Sequence, residues 1–184
     1  FDLPVFAAPI GAMKLHYGDL YDDAGYNDIL VPSCRDVGIA AFTGDGVDPS
    51  VMASALHAIG AQDGCGVPTV KPWNMELIRE KMAAAQAAKP FAIAMDIDAA
   101  GLPFLKNCNP PAGSKTVEEL KTIVQWAEKP FLLKGIMTVR GAEKALAAGA
   151  AGIVVSNHGG RVLDQCPATA EVLPEIAAAV GGKL

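Results

Sequence analysis

Gly149-Ala150-Ala151-Gly152-Ile153-Val154-Val155-Ser156-Asn157-His158-Gly159-Gly160-Arg161 reads as a helix end, a short apolar strand and an abrupt polar strand end. In parallel α/β proteins the C-terminal ends of strands are where ligands bind and chemistry happens. Gly159 and Gly160 allow backbone to approach a flat ligand closely. His158 and Arg161 can handle a proton and an anion in one place. The plainer reading of the hexapeptide is a polar turn with a solvated histidine and arginine.

The same strand-then-helix pattern repeats on either side. Candidate strands are Val5–Ala8, Gly38–Phe42, Gly66–Val70, Phe91–Ile97, Phe131–Leu133 and Gly152–Val155. Each is short and continuously apolar, as in a parallel sheet covered on both faces. Helices are expected between them. Tyr26–Val37 contains Pro32, which either kinks it or marks its true start. Asp48 and Asn74 are N-cap candidates for Pro49–Ile59 and Met75–Ala87. Thr116 and Glu119 form a capping box ahead of Val117–Ala127. Gly141–Ala148 stops at Gly149, a C-terminal capping glycine, and Thr169–Val180 ends at Gly181-Gly182.

Six βα units leave two architectures: an open doubly wound sheet or a (β/α)8 TIM barrel with units missing. An open nucleotide-binding sheet usually carries a glycine fingerprint after its first strand. Pro9-Ile10-Gly11-Ala12-Met13 is not one, and no Walker-type loop occurs. A complete barrel normally needs more than roughly 200 residues, and this chain has 184. The expected fold is therefore α/β, an incomplete (β/α)8 TIM barrel. Residues 1–184 are expected to form a single partial domain, since no linker, repeat or low-complexity segment interrupts them.

With 51% hydrophobic residues the chain can build a packed core. A net charge of −5 and the lack of any Lys/Arg cluster disfavour a nucleic-acid partner. Cys34, Cys65, Cys108 and Cys166 form no metal-ligand spacing and read as buried free thiols; no metal site is expected. No secretory signal is visible, and the longest apolar stretch is shorter than the ~20 residues of a membrane span. A cytoplasmic protein without a membrane span is expected. His16 and His57 read as surface residues, and the methionines as core filler.

Polar residues collect at the expected strand ends: Pro9-Ile10-Gly11, Thr43-Gly44-Asp45-Gly46, Thr69 with Lys71, Asp96 with Asp98, Lys134-Gly135 and Ser156–Arg161. In a barrel these ends form one rim. A lysine directly after Phe131–Leu133 needs an anionic or polar partner unless it reaches solvent. Asp96 and Asp98 alternate on their strand and so face one side. One of them can orient an imidazole, while a purely structural carboxylate is the alternative for Asp96.

Lys134-Gly135-Ile136, the helix ending at Gly149, Gly152–Asp164 and Pro167-Ala168-Thr169 together resemble the FMN-dependent α-hydroxy-acid oxidase/dehydrogenase family, of the glycolate oxidase, lactate oxidase and flavocytochrome b2 type. The likeness is strong over Pro130–Ile176 and fainter over Pro4–Gly101. In overall wording the chain is similar to the shorter bacterial α-hydroxy-acid oxidising proteins. The resemblance implies an FMN-dependent enzyme that oxidises a small 2-hydroxy acid to the 2-oxo acid by hydride transfer to flavin N5.

It also implies roles. His158 is the base that takes the substrate hydroxyl proton, and Asp98 holds it and stabilises its protonated form. Arg161 clamps the substrate carboxylate; apart from the resemblance, Lys71 at its strand end is also expected to bind substrate. Lys134 lies at the flavin edge where negative charge develops. Pro9, Ile10, Gly11, Thr43, Thr69, Ser156 and Gly159 line the cofactor together with His158 and Arg161. Family members are commonly homo-oligomers, and the same is expected here.

The chain departs from the family pattern in places. Thr69-Val70-Lys71 stands where the family has Gln-x-Tyr, and Asp96 stands where it has threonine. The second substrate arginine has no clear match in Gly101–Lys115, which offers Lys106 and Lys115. The family's phosphate-holding loops follow the seventh and eighth strands, and nothing after Gly182 supplies them. The 184 residues alone are therefore expected to bind FMN weakly or not at all, and to be inactive alone. Two other readings stand beside the main one: a flavin-dependent barrel of another class, similar to type-2 isopentenyl-diphosphate isomerase, and a non-catalytic fragment.

Overall fold

Six strands, each followed by one or more helices, succeed one another in the computed structural model, which describes residues Phe1–Leu184. The strands are β1 (Phe6–Ala7), β2 (Ala40–Thr43), β3 (Val67–Val70), β4 (Ile93–Asp96), β5 (Phe131–Ile136) and β6 (Gly152–Val155). The helices are α1 (Met13–Tyr17), α2 (Asp23–Asp36), α3 (Pro49–Ala61), α4 (Met75–Ala87), α5 (Pro103–Lys106), α6 (Val117–Ala127), α7 (Val139–Ala148) and α8 (Thr169–Val180). Neighbouring strands follow chain order, without the reversal that marks a doubly wound sheet. The fold class is α/β, an incomplete (β/α)8 barrel. The chain divides into two compact units, Phe1–Val70 with Lys81–Ile93, and Lys71–Glu80 with Ala94–Leu184.

In the first unit β1 pairs with β2, and β2 with β3, all parallel, with Phe6 opposite Ala40 and Phe42 opposite Val67. Every residue of β2 and β3 is buried, which is why their sequences lack polar alternation. Val31 and Cys34 of α2 pack with Ala41, Ala58 and Ile59 as the centre of this core.

Helix α2 starts three residues earlier than expected and runs through Pro32 instead of breaking there. Asp22 caps it by accepting from the Gly25 amide, and Asp23 accepts from the amides of Ala12 and Met13. An interior proline costs about 3 kcal/mol. Capping and the buried face of Asn27, Val31 and Cys34 outweigh that cost.

In the second unit β5 and β6 pair in parallel, and the register slips between Lys134 and Ile136. Gly135 is the extra residue, a bulge at φ 98° that only glycine adopts readily. The bulge carries β5 to Ile136, beyond the expected Leu133, so Lys134 sits inside the strand and is buried. β6 pairs only with β5 and is half-buried along its length, more open than its apolar sequence implied.

Local signals set the helix ends as expected. Thr116 and Glu119 form the capping box of α6, Asp48 caps α3, and Gly149 ends α7 at φ 82°. β4 is shorter than expected and ends at Asp96, so Asp98 belongs to the following 3₁₀ turn, Ile97–Gly101, and not to the strand. All four cysteines are free, but only Cys34 is buried; the other three are partly exposed. No helix is long and apolar enough to cross a membrane.

Candidate active site

Four ionisable side chains converge at the strand ends of the second unit. Lys71 directly follows β3, Asp96 ends β4, Asp98 lies in the 3₁₀ turn and Lys134 sits next to the bulge of β5. His158, in the turn after β6, joins them. Its Nδ1 lies 3.0 Å from Asp98 Oδ1 and 3.6 Å from Asp96 Oδ1. A carboxylate can only accept, so this partner places the proton on Nδ1 and leaves Nε2 as the basic nitrogen of the neutral ring.

The anionic partner that the buried lysine required is Asp96. Lys134 Nζ donates to Asp96 Oδ1 at 2.7 Å, and Lys71 Nζ donates to Oδ2 at 3.4 Å. Burial alone would raise the Asp96 carboxyl above its ordinary value. The ammonium groups of Lys71 and Lys134, the neighbouring His158 and the Lys134 hydrogen bond outweigh burial and hold it below that value. Lys71 and Asp96, two departures from the expected family pattern, are thus partners of each other. Asp98 keeps one buried oxygen without a partner.

The His158 turn is held by backbone geometry. His158, Gly159 and Gly160 have φ of 59°, 66° and 76°, three successive left-handed residues. A Cβ on either glycine would meet nothing within 4 Å, so conformation and not crowding calls for glycine there. Ser156 Oγ accepts from the His158 amide at 3.2 Å and braces the turn. Arg161 closes it with an exposed side chain that makes no ion pair, and its guanidinium is free to take an anion.

Donor atoms of Asp96, Asp98 and His158 lie within 4.8 Å of one another, a spacing that would suit a metal ion. Two ammonium groups already on Asp96 set like charge where a cation would sit.

The first unit holds the other residues singled out from the sequence. Pro9, Ile10 and Gly11 follow β1, and a Cβ on Gly44 would collide with the Ile10 carbonyl, so the two strand-end loops pack backbone to backbone. Thr43 and Thr69, at the ends of β2 and β3, each bury a hydroxyl with no partner. Such hydroxyls suit the polar edge of a bound heterocycle. Asp45 was legible as a strand-end polar residue, but its ion pair with Lys81 of α4 at 2.8 Å was not. The available signal was an aspartate inside a glycine loop next to an apolar strand, which demands a cation.

Residues 105–184 match the family described as FMN-dependent dehydrogenase. A 2-hydroxyacid oxidase of Dictyostelium discoideum is 52% identical over 71 residues, 39% of this chain and 18% of that protein. An FMN-dependent alpha-hydroxy acid dehydrogenase of Schizosaccharomyces pombe is 37% identical over 144 residues, 76% of this chain and 31% of that protein. Among solved structures, a lactate oxidase of Pediococcus acidilactici superposes with a TM-score of 0.78 at 27% identity, over 98% of this chain and 54% of that one. A mandelate oxidase does so with a TM-score of 0.76 at 27% identity, over 97% and 55%. The chain thus spans about half the length of these solved relatives.

Proposed function

We propose that this chain, similar to the FMN-dependent α-hydroxy-acid oxidase family, carries the proton-abstracting and carboxylate-binding part of an enzyme oxidising a small 2-hydroxy acid to the 2-oxo acid. The observation that carries this reading is the 3.0 Å contact between His158 Nδ1 and Asp98 Oδ1. It presents Nε2 as a base and stations a carboxylate behind the ring to stabilise the imidazolium once the hydroxyl proton has moved.

FMN, when bound, supplies the two-electron acceptor for the hydrogen leaving the substrate's α-carbon as hydride. The chain's own groups fit such a cofactor. In the second unit Lys134 offers a buried cation, and Ser156 and Gly159 offer further contacts. In the first unit, taken by itself, Thr43 and Thr69 offer unpartnered hydroxyls at strand ends, and the Pro9-Ile10-Gly11 backbone offers contacts at its own. Arg161 would take the substrate carboxylate through a two-pronged charge-assisted hydrogen bond. Lys71 donates to Asp96 and would add positive charge on the side where a substrate anion binds.

The test uses a full-length version of the protein, loaded with FMN and mixed anaerobically with glycolate, lactate and mandelate while the flavin spectrum is followed. Bleaching by at least one acid is expected. His158→Gln should retain FMN and lose bleaching. Retention of the parental bleaching rate in that variant would remove His158 from the role of base.

A further inference from the structure

Asp98 is not the only carboxylate on His158. Asp96 Oδ1 stands 3.6 Å from Nδ1, and the same oxygen accepts from Lys134 Nζ at 2.7 Å. The second oxygen, Oδ2, faces Lys71 Nζ at 3.4 Å. All four side chains are nearly closed off from water, with Lys71 the most open at 14%. Low exposure strengthens each of these charge interactions.

We propose that Asp96 is a positioning residue for His158, a second carboxylate on Nδ1 whose pull is set by Lys71 and Lys134. The proposal rests on the reading of His158 as a base and adds to it a control that Asp98 alone does not provide. Lys134 and the imidazole draw on one oxygen. A proton gained by His158 strengthens the Nδ1 claim on Asp96 Oδ1 and weakens the Lys134 hydrogen bond. Lys71, on the opposite oxygen, draws carboxylate charge away from the ring. The charged groups facing His158 are therefore Asp96 from β4, Asp98 from the 3₁₀ turn, and, through Asp96, Lys134 from β5 and Lys71 after β3. Arg161, on its own turn, is exposed.

This arrangement makes two variants move the ring in opposite directions. Asp96→Asn removes an anion and leaves two ammonium groups uncompensated, so the imidazolium becomes harder to form. Lys71→Met removes a cation and leaves Asp96 more free to stabilise it. The measurement is an NMR pH titration of the histidine rings in the intact protein, with the His158 signal assigned by its loss in His158→Gln.

Asp96→Asn should lower the pH at which the His158 ring takes up a proton, and Lys71→Met should raise it. A shift in the other direction, or none, in either variant would overturn the proposal. A purely structural role for Asp96 predicts no such opposed pair. The titration involves no substrate, so a protein that oxidises no 2-hydroxy acid can still show the paired shifts, and an active oxidase can lack them.

Discussion

The Asp98 carboxylate fills the space that a Cβ on residue 135 would need, so the bulge glycine of β5 and the carboxylate behind His158 are sterically complementary. Gly135 also holds φ at 98°. Two demands, one conformational and one steric, therefore meet at a single residue, and both bear on the site.

Gly135→Ala is expected to strain the backbone and push Asp98 off its partner. The conformational part costs about 1–3 kcal/mol. A drop of several degrees in the melting temperature should appear together with loss of flavin reduction. An alanine variant with parental melting and activity would show that the bulge relaxes without moving Asp98.

Asp98→Asn keeps the shape of the side chain but withdraws the charge that stabilises an imidazolium. Flavin reduction in the full-length, FMN-loaded protein should slow by roughly 10²–10⁴-fold, the usual span of general acid–base assistance. FMN binding should be little changed. Stopped-flow absorbance and a flavin-binding titration separate the two effects.

Asp45 and Lys81 form a buried pair whose single removal strands a charge. Asp45→Ala should destabilise the fold by about 3–5 kcal/mol. The double variant Asp45→Ala with Lys81→Met should cost less than Asp45→Ala alone, because no buried charge is left behind. Denaturant melts of the set give the comparison.

The charges around Asp96 make an acid-sensitive contribution to stability. Its carboxyl is held below the ordinary value in the folded chain, whereas the unfolded chain titrates near pH ~3.9. The stabilisation is therefore complete above the unfolded value and is lost as pH falls through the folded one. Asp96→Asn should be less stable at neutral pH and should lose less stability on acidification below about pH 4. Melts recorded from pH 7 to pH 2 test the sign; an unchanged acid slope would show that Asp96 does not carry it.

Much of this molecule was legible in the sequence because the forces involved act over a few residues. Continuous apolar runs marked buried strands. Thr116 with Glu119, Asp48 and Gly149 marked helix ends, since each cap bonds the first or last turn of its own helix. His158, Asp98 and Lys134 stood out as polar residues where apolar runs stop. What the sequence could not show depends on groups far apart along the chain. Asp96 meets Lys71 across 25 positions and Lys134 across 38; the His158–Asp98 pairing, across 60, was expected only through the family resemblance. The helix through Pro32 and the bulge at Gly135 are likewise outcomes of packing that override local preference. Sequence determined which side chains stand at the strand ends. Only the tertiary structure decided which of them share a carboxylate, because ion pairs form between neighbours in space and the chain's path alone makes them neighbours.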